Sequence, residues 1–418
     1  GWAYGKGAAA LYIPAYGTIG FIIGYFFLPS VWRIAKERGL LTSADFFTDR
    51  YGSKALGGGV AILQFVMVVP YVCLQLAGLQ KILSVAAYGT FANEEMTVIV
   101  AFALIALFVL TTGLRGAAWA SLVKDALVLA AVIFAGVVIP LQFFGSPTIM
   151  FDQLLKAHPL WTTLQSGTPY NTAWFISTVL LTSIGFYMGP HSMAATYSAK
   201  NENALRRNAI FLPLYQIVLL MVFFAGFSAL LIVPGLKDVD VSFLTVVVRY
   251  YPPWMMGFVG AAGALAALVP ASALLLASAS VMTKNVLGDW FGIATKDRAR
   301  VFATRICVLV VAGMALLMWT QTKSTTLGEL LLLYYNGITQ FMPGFVFALV
   351  WKRVNAWAVG AGIVASVTLA VTLAARGDYP WGLNPGLVAL LLNVAIVVAI
   401  TLLTPRRAGA QTSSPTPV

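Results

Sequence analysis

Charge is scarce in this sequence: 10% of its 418 residues are Asp, Glu, Lys or Arg, and 60% are hydrophobic. Soluble domains carry about 25% charged residues, so a soluble chain of this make-up would expose too much apolar surface to stay in solution. Cysteine and histidine are scarcer still, at two each. Cys73 and Cys307 both fall inside apolar runs, which excludes a disulfide framework or a cysteine metal cluster. No phosphate-binding glycine loop, spaced metal-ligand motif or nucleophile motif occurs, so the sequence does not read as an enzyme. The net charge of +12 is spread between apolar runs instead of gathered in a patch, which argues against nucleic acid and resembles a topology signal. The chain opens on Gly1 and shows no signal-peptide pattern.

What remains is an all-α polytopic membrane protein in a lipid bilayer. A membrane-crossing helix needs about 20 mostly apolar residues. Candidates lie at 11–32, 55–87, 95–113, 117–141, 173–197, 209–234, 254–287, 301–320, 327–350, 355–374 and 383–404. One set of helix ends and loops, around 33–54, 115, 200–207, 284–305, 352–353 and 406–407, holds 18 of the 26 Lys and Arg. The opposite set holds six, namely Lys81, Lys156, Lys237, Arg249, Lys323 and Arg376. This bias assigns the first set, and with it the C-terminus, to the cytoplasm. The polar, Pro-containing end at 405–418 reads as a disordered cytoplasmic tail.

Two glycine-rich interruptions stand out: Gly1-Trp2-Ala3-Tyr4-Gly5-Lys6-Gly7, and Gly185-Phe186-Tyr187-Met188-Gly189-Pro190-His191 in the middle of the 173–197 span. Each is followed by four further spans, and an odd number of spans per unit inverts the second unit relative to the first. The expected organisation is a first inverted repeat at 1–143 and an external loop or amphipathic lid at 144–172. A second repeat follows at 172–350, with two accessory helices at 355–404. The breaks are expected to face each other at mid-membrane; the alternative is that their glycines serve close helix packing. In the external stretch, Phe151, Leu154, Leu155 and His158 sit at helical spacing, and Thr42-Ser43-Ala44-Asp45 reads as a helix N-terminus.

Ionisable groups inside a membrane are expensive and usually functional. Lys6, Lys124 and Asp125 are the three that fall deep by this count. Lys6 suits either a substrate carboxylate or snorkelling to headgroups. Lys124 and Asp125 are about 100° apart around their helix and need not pair, which leaves Lys124 free to point between helices as a titrating group. Gln75 and Gln80 are apolar-run polar groups that need partners. His191, just after Pro190, is either bonded to backbone carbonyls or poised for a substrate or a proton.

The segments "YFFLPSVWRIAKERGLLTSADFF", "RGAAWASLVKDALVLA", "GFYMGPHSMAATYSAKN" and "LVPASALLLASASVMTKNV" resemble the sodium:solute symporter family, and within it the bacterial monocarboxylate permeases. The resemblance implies a LeuT-type 5+5 inverted repeat in a bacterial inner membrane, with one and a half helices expected upstream of Gly1. It also implies a secondary active importer of short monocarboxylates (lactate, pyruvate, acetate or propionate) that works by alternating access without a cofactor. Alternatives are a sodium symporter for another small solute and a symporter-like sensor domain. Carried onto this chain, the substrate contacts would be Trp2, Tyr4 and Lys6, then Tyr71 and Gln75, then Phe186, Tyr187 and His191, then Asn336 and Gln340. The family's Gly-Gln-Pro-His is here Met188-Gly189-Pro190-His191, and Ala195 replaces an Arg of proline and sugar relatives. The hydroxyl pair of sodium-coupled members is absent after Ala266-Ala267, leaving Ser272 as the nearest substitute. The family's Thr-Asp is Lys124-Asp125. Lys124, Asp125 and Ser272 are therefore the ion-coupling residues this resemblance implies, with a proton as coupling ion and sodium as the alternative.

Overall fold

The computed structural model describes residues 1–88, 93–293 and 296–405, with the backbone alone described at 112–115 and 117–118. Arg406, Arg407 and the tail that follows lie outside the described residues, as does the side chain of Arg115. All regular structure among the described residues is helical. In chain order the helices are α1 (Trp2–Lys6), α2 (Tyr12–Arg38), α3 (Ser43–Tyr51), α4 (Lys54–Met67), α5 (Val69–Ala86) and α6 (Glu94–Ile133). Then come α7 (Ile139–Phe144), α8 (Pro147–Ala157), α9 (Thr172–Gly185), α10 (Pro190–Ser198), α11 (Glu202–Ile232) and α12 (Ser242–Tyr250). The last six are α13 (Pro253–Val281), α14 (Asp297–Gln321), α15 (Leu327–Ile338), α16 (Met342–Val350), α17 (Ala356–Arg376) and α18 (Pro385–Leu403).

Nine stretches among the described residues are long and apolar enough to cross a membrane, and the bent pair α9–α10 makes a tenth. These match ten of the eleven spans expected from sequence. The eleventh, 327–350, is divided by a 3-10 turn at Thr339–Phe341, just before Pro343. Proline there has no N–H to continue the α-helical ladder. The spans expected at 95–113 and 117–141 correspond to Glu94–Thr111 and Trp119–Phe144, and the backbone stays helical between them throughout α6. Gly113 and Gly116 cost helix stability, but neither removes a donor and no proline intervenes.

Helix packing places the two breaks. α13 packs on α6, α5, α14 and α10, α11 packs on α2, and α2 packs on α9. The face of α2 is cut away by glycines. Phe186 and Tyr187 occupy the space that side chains at Gly20 and Gly24 would fill. The accessory helices α17 and α18 form their own pair and meet the bundle through α15 and the turn at Thr339–Phe341. Large apolar side chains such as Phe26, Trp119 and Trp357 point outward, where lipid replaces water as their solvent.

α3 starts where the sequence predicts. Thr42 caps it: its hydroxyl accepts from the Asp45 amide at 3.0 Å, and the Asp45 carboxylate accepts from the Thr42 amide at 3.0 Å. This reciprocal box satisfies two helix-end donors at once. The stretch 144–172 also forms a helix, α8, with Met150 and Leu154 fully buried and Phe151 packed on Phe224 and Phe227 of α11.

Candidate functional site

The second break is built by two glycines and a proline. α9 ends at Gly185, α10 begins at Pro190, and the two axes differ by 45°. Pro190 cannot donate, and Gly189 before it is extended at φ −69° and ψ 146°. Both glycines are required by close approach. A side chain at Gly185 would collide with Thr339 and Tyr335, and one at Gly189 with the Tyr334 hydroxyl and the His191 ring.

Around this break lies a cluster of aromatic side chains with polar ends. The Tyr71 ring is 4.9 Å from Tyr334 and 6.0 Å from His191. Tyr335 is 5.2 Å from Tyr334 and 5.3 Å from Tyr16, and Tyr16 is 5.9 Å from Phe186. His191 Nε2 lies 3.3 Å from the Ser192 hydroxyl, while its Nδ1 is buried with no hydrogen-bond partner. Gln75 is buried one turn beyond Tyr71 on α5. The structure thus brings Tyr71, His191 and Phe186 into one neighbourhood, with Tyr187 turned onto α2.

The first break is elsewhere. Trp2–Lys6 is a short helix that ends at Gly7, whose φ of +56° is left-handed. Ala8 N–H donates to the Trp161 carbonyl at 2.7 Å, and that carbonyl fills the space beside Gly7. Trp161 Nε1 in turn donates to the Tyr4 carbonyl at 3.1 Å. Trp2 donates to the Thr326 hydroxyl at the start of α15 and stacks on Trp174. The Tyr4 hydroxyl donates to the Val233 carbonyl and accepts from the Leu236 amide, anchoring the loop after α11. Lys6 Nζ sits 4.6 Å from the Tyr170 ring centre, a cation-π contact with the loop between α8 and α9. Burial and the nearby Glu329 carboxylate push the Tyr170 phenol above its ordinary range. Two expectations are corrected. The first break meets the loop between α8 and α9 and not the second break, and Lys6 lies in a loop-lined pocket and not deep in the bundle.

Asn336 and Gln340 also point away from the aromatic cluster. Gln340 Nε2 donates to the carbonyls of Asn336 (3.0 Å) and Gly386 (2.9 Å). Asn393 of α18 donates to the Gln340 carbonyl at 2.8 Å, and the Asn336 side chain lies against Gly386. Gln340 lies in the 3-10 turn at Thr339–Phe341, which changes the helical register there, while Asn336 sits on the regular face of α15 that meets Gly386; both therefore hold the accessory helices.

Two of the three ion-coupling candidates are paired with each other. Lys124 Nζ lies 3.0 Å from Asp125 Oδ1, and the Asp125 side chain is 54% exposed. The two side chains pair, with that of Lys124 mostly buried at 20% exposed, so the long Lys124 stem spans the angle between neighbours on the helix. Ser272 is fully buried, and its hydroxyl donates to the Val269 carbonyl at 2.7 Å. No group of three or more His, Cys, Asp or Glu side chains able to hold a metal ion occurs among the described residues.

Tyr16, Tyr334 and Tyr335 were missed at the sequence level, although "LLLLYYNGITQF" places two hydroxyl-bearing rings beside Asn336. Gln64 was missed too. It is fully buried, accepts from the Ser43 hydroxyl at 2.6 Å and donates to the Met188 carbonyl inside the break at 3.4 Å. The spacing of Gln64, Tyr71 and Gln75, at i, i+7 and i+11, was the available signal, since it puts three polar groups on one helical face.

Comparison with known proteins gives this architecture a family. The chain is similar to the uncharacterized symporter YhjB of Bacillus subtilis (strain 168), at 40% identity over 98% of this chain and 86% of that protein. It is 27% identical to a monocarboxylate transport permease protein of Rhizobium johnstonii (strain DSM 114642 / LMG 32736 / 3841), over 97% of this chain and 84% of the relative. Among solved structures, a Na+-coupled sialic acid symporter in a substrate-bound outward-open state superposes with a TM-score of 0.72 at 15% identity, over 97% of this chain and 88% of that one. The inward-facing conformation of Mhp1 superposes with a TM-score of 0.51 at 15% identity, over 94% of this chain and 84% of that one. The fold is therefore the LeuT-type inverted repeat, and the chain is a transporter and not an enzyme. The family model for sodium:solute symporters matches residues 1–365, and the chain belongs to the sodium:solute symporter family.

Proposed function

We propose that this symporter imports a short monocarboxylate such as lactate, pyruvate, acetate or propionate across the bacterial inner membrane by alternating access. The observation that carries the reading is the similarity, over 97% of this chain, to a monocarboxylate transport permease protein. His191 supports it chemically. A carboxylate needs hydrogen-bond donors in a dry site, and the buried, unpartnered Nδ1 of His191 stands among tyrosine rings beside the break. The N-terminus of α10 adds backbone donors and the positive end of a helix dipole.

The coupling ion is sodium in this reading, in keeping with the family. The case for a proton rested on Lys124 as a lone titrating group, and its 3.0 Å contact with Asp125 gives that ammonium a counter-ion instead. The face carrying Arg33, Arg50, Lys54, Lys284 and Arg353 is the cytoplasmic one by the positive-inside bias. The test is uptake of labelled lactate, pyruvate, acetate and propionate into proteoliposomes under separately imposed sodium and proton gradients. Sodium-driven accumulation of at least one acid is expected. Absence of uptake for all four would overturn the substrate class, and uptake driven by protons with sodium absent would overturn the ion.

A further inference from the structure

The basic face of the protein carries a polar cavity of about 490 Å³ between α3 and the inner end of α13, lined by Asp45, Thr48, Lys54, Lys284, Asn285 and Asp289 among others. Across it runs a set of charged contacts. Lys284 Nζ lies 2.6 Å from Asp45 Oδ1 and 3.0 Å from Asp289 Oδ2. Asn285 donates to Asp45 Oδ1 at 2.5 Å, and the Thr42 hydroxyl donates to Asn285 Oδ1 at 2.7 Å. Lys284 and Asn285 belong to a π-helical segment, Met282–Gly288, that continues α13. Such wide turns are rare and are frequently found at functional sites.

The same end of α3 is tied to the break. Ser43, one residue from the Thr42 cap, donates to Gln64, and Gln64 donates to the Met188 carbonyl. Ser43 and Gln64 are both buried. A continuous chain of polar contacts therefore runs from the unwound segment, through Gln64 and the first turn of α3, to the ion pair at the basic face. Apolar packing alone would have placed Leu or Met at position 64, and Gln at full burial is retained at a cost unless both its ends are used.

We propose that Gln64 is a positioning residue of the transport cycle, holding the Met188 carbonyl to α3 so that the break and the Asp45–Lys284–Asn285 latch open together. The inference rests on the symporter reading, since alternating access is what requires the basic face to open. It does not depend on which solute is carried. When α10 shifts at the break, the Gln64 contact is lost, α3 is freed at its N-terminus, and the capping carboxylate that also holds Lys284 moves with it. Release of the latch lets α3 swing from the π segment and opens the cavity.

The experiment uses the purified full chain in nanodiscs with no substrate added. Spin labels are placed at exposed Leu41→Cys, beside α3, and Arg298→Cys, on α14, in a Cys73→Ser/Cys307→Ser protein. Asp45→Asn is expected to add a longer-distance population. Gln64→Met is expected to add the same population, raising the ratio of open to closed about five-fold, the shift that loss of one buried hydrogen bond supports. Ser43→Ala cuts the same link with a smaller packing change and decides the matter should Gln64→Met not fold. A control pair at Val371→Cys and Leu391→Cys on the accessory helices stays unchanged under the proposal, whereas general loosening would broaden both pairs. If Asp45→Asn lengthens the distance while Gln64→Met and Ser43→Ala do not, the latch works without Gln64 and the proposal fails. If none of the three variants moves it, there is no latch. Neither result bears on the monocarboxylate assignment, which the uptake assay tests separately.

Discussion

Replacing His191 with Leu separates its two possible roles, because stability and transport should move in different directions. In the folded protein Nδ1 is buried without a partner, and Nε2 makes one 3.3 Å contact with Ser192. An unpaired buried polar group costs about 1–3 kcal/mol, a neutral hydrogen bond contributes about 0.5–1.5 kcal/mol, and an aromatic pair adds a similar amount. Removing the ring relieves the first and forfeits the Ser192 bond and the contact with Tyr71. The net change lies between about −2 and +2 kcal/mol, so the thermal midpoint of His191→Leu should stay close to that of the parent. Transport is different. A hydrogen bond from Nδ1 to a carboxylate is charge-assisted, worth about 1.5–3 kcal/mol, which is roughly a 10- to 150-fold change in apparent affinity. The assay is the initial rate of labelled-acid uptake into proteoliposomes against acid concentration, with the thermal midpoint measured on the same preparation. The expected result is a KM raised at least ten-fold with the protein intact, and partial recovery in His191→Asn, whose amide donor reaches a similar place. An unchanged KM in His191→Leu would refute the substrate role. A collapse of stability would refute it also, since it would mean that the imidazole is a structural anchor.

The bundle could be read from the sequence because lipid imposes a simple rule. Every span must be long and apolar, and ten of the eleven predicted stretches reappear in the structure. The second break was equally legible, because Gly189 and Pro190 violate helix chemistry on their own account, whatever packs around them. Side-chain direction was not legible, since it depends on a register that small departures from α-helix reset. The 3-10 turn at Thr339–Phe341 rotates Gln340 toward Gly386 and Asn393, and a 3.6-residue wheel drawn over 327–350 cannot show this. Lys124 and Asp125 were separated by the same helical wheel, yet a four-carbon stem with a rotatable end closes the gap to 3.0 Å. The position of Lys6 was misjudged for another reason. It depends on Trp161 and Tyr170, over 150 residues away in sequence, and no local pattern predicts that loop folding back over the first break. Gln64 was overlooked because one polar residue in an apolar run draws attention only when its partners, Ser43 and Met188, are known to be near.

Three further outcomes follow from the packing. Gly189→Ala places a methyl against the Tyr334 hydroxyl and the His191 ring, an overpacking cost of about 1–3 kcal/mol; uptake should fall at least ten-fold in a protein that still elutes as the parent does, and normal uptake would mean that the break tolerates displacement of both groups. Asn393→Leu removes the 2.8 Å bond to the Gln340 carbonyl and the 3.1 Å bond to Ser366, so the thermal midpoint should drop by the equivalent of about 1–3 kcal/mol with KM unaltered; a raised KM would restore Gln340 to the substrate site. The third outcome concerns acid. Burial tends to raise the Asp45 pKa, but hydrogen bonds from Lys284, the Leu41 amide and Asn285, together with the Lys284 charge, outweigh it and hold the carboxyl below its ordinary 3.8. A group whose pKa is depressed on folding adds stability above its unfolded value, and that stability is lost as the pH falls through the folded value. The contribution is therefore complete at neutral pH and disappears only below about pH 4. The thermal midpoint of the purified protein, followed from pH 6 to pH 3, should fall as the pH drops below about 4 and fall less steeply in Asp45→Asn, which has no proton to take up. Asp49 and Asp289 line the same cavity and are present in both proteins, so the difference between the two curves isolates Asp45. Parallel curves would mean that the carboxylate is no better held in the folded chain than in the unfolded one, and the Lys284 contact would then be a surface pair of little consequence.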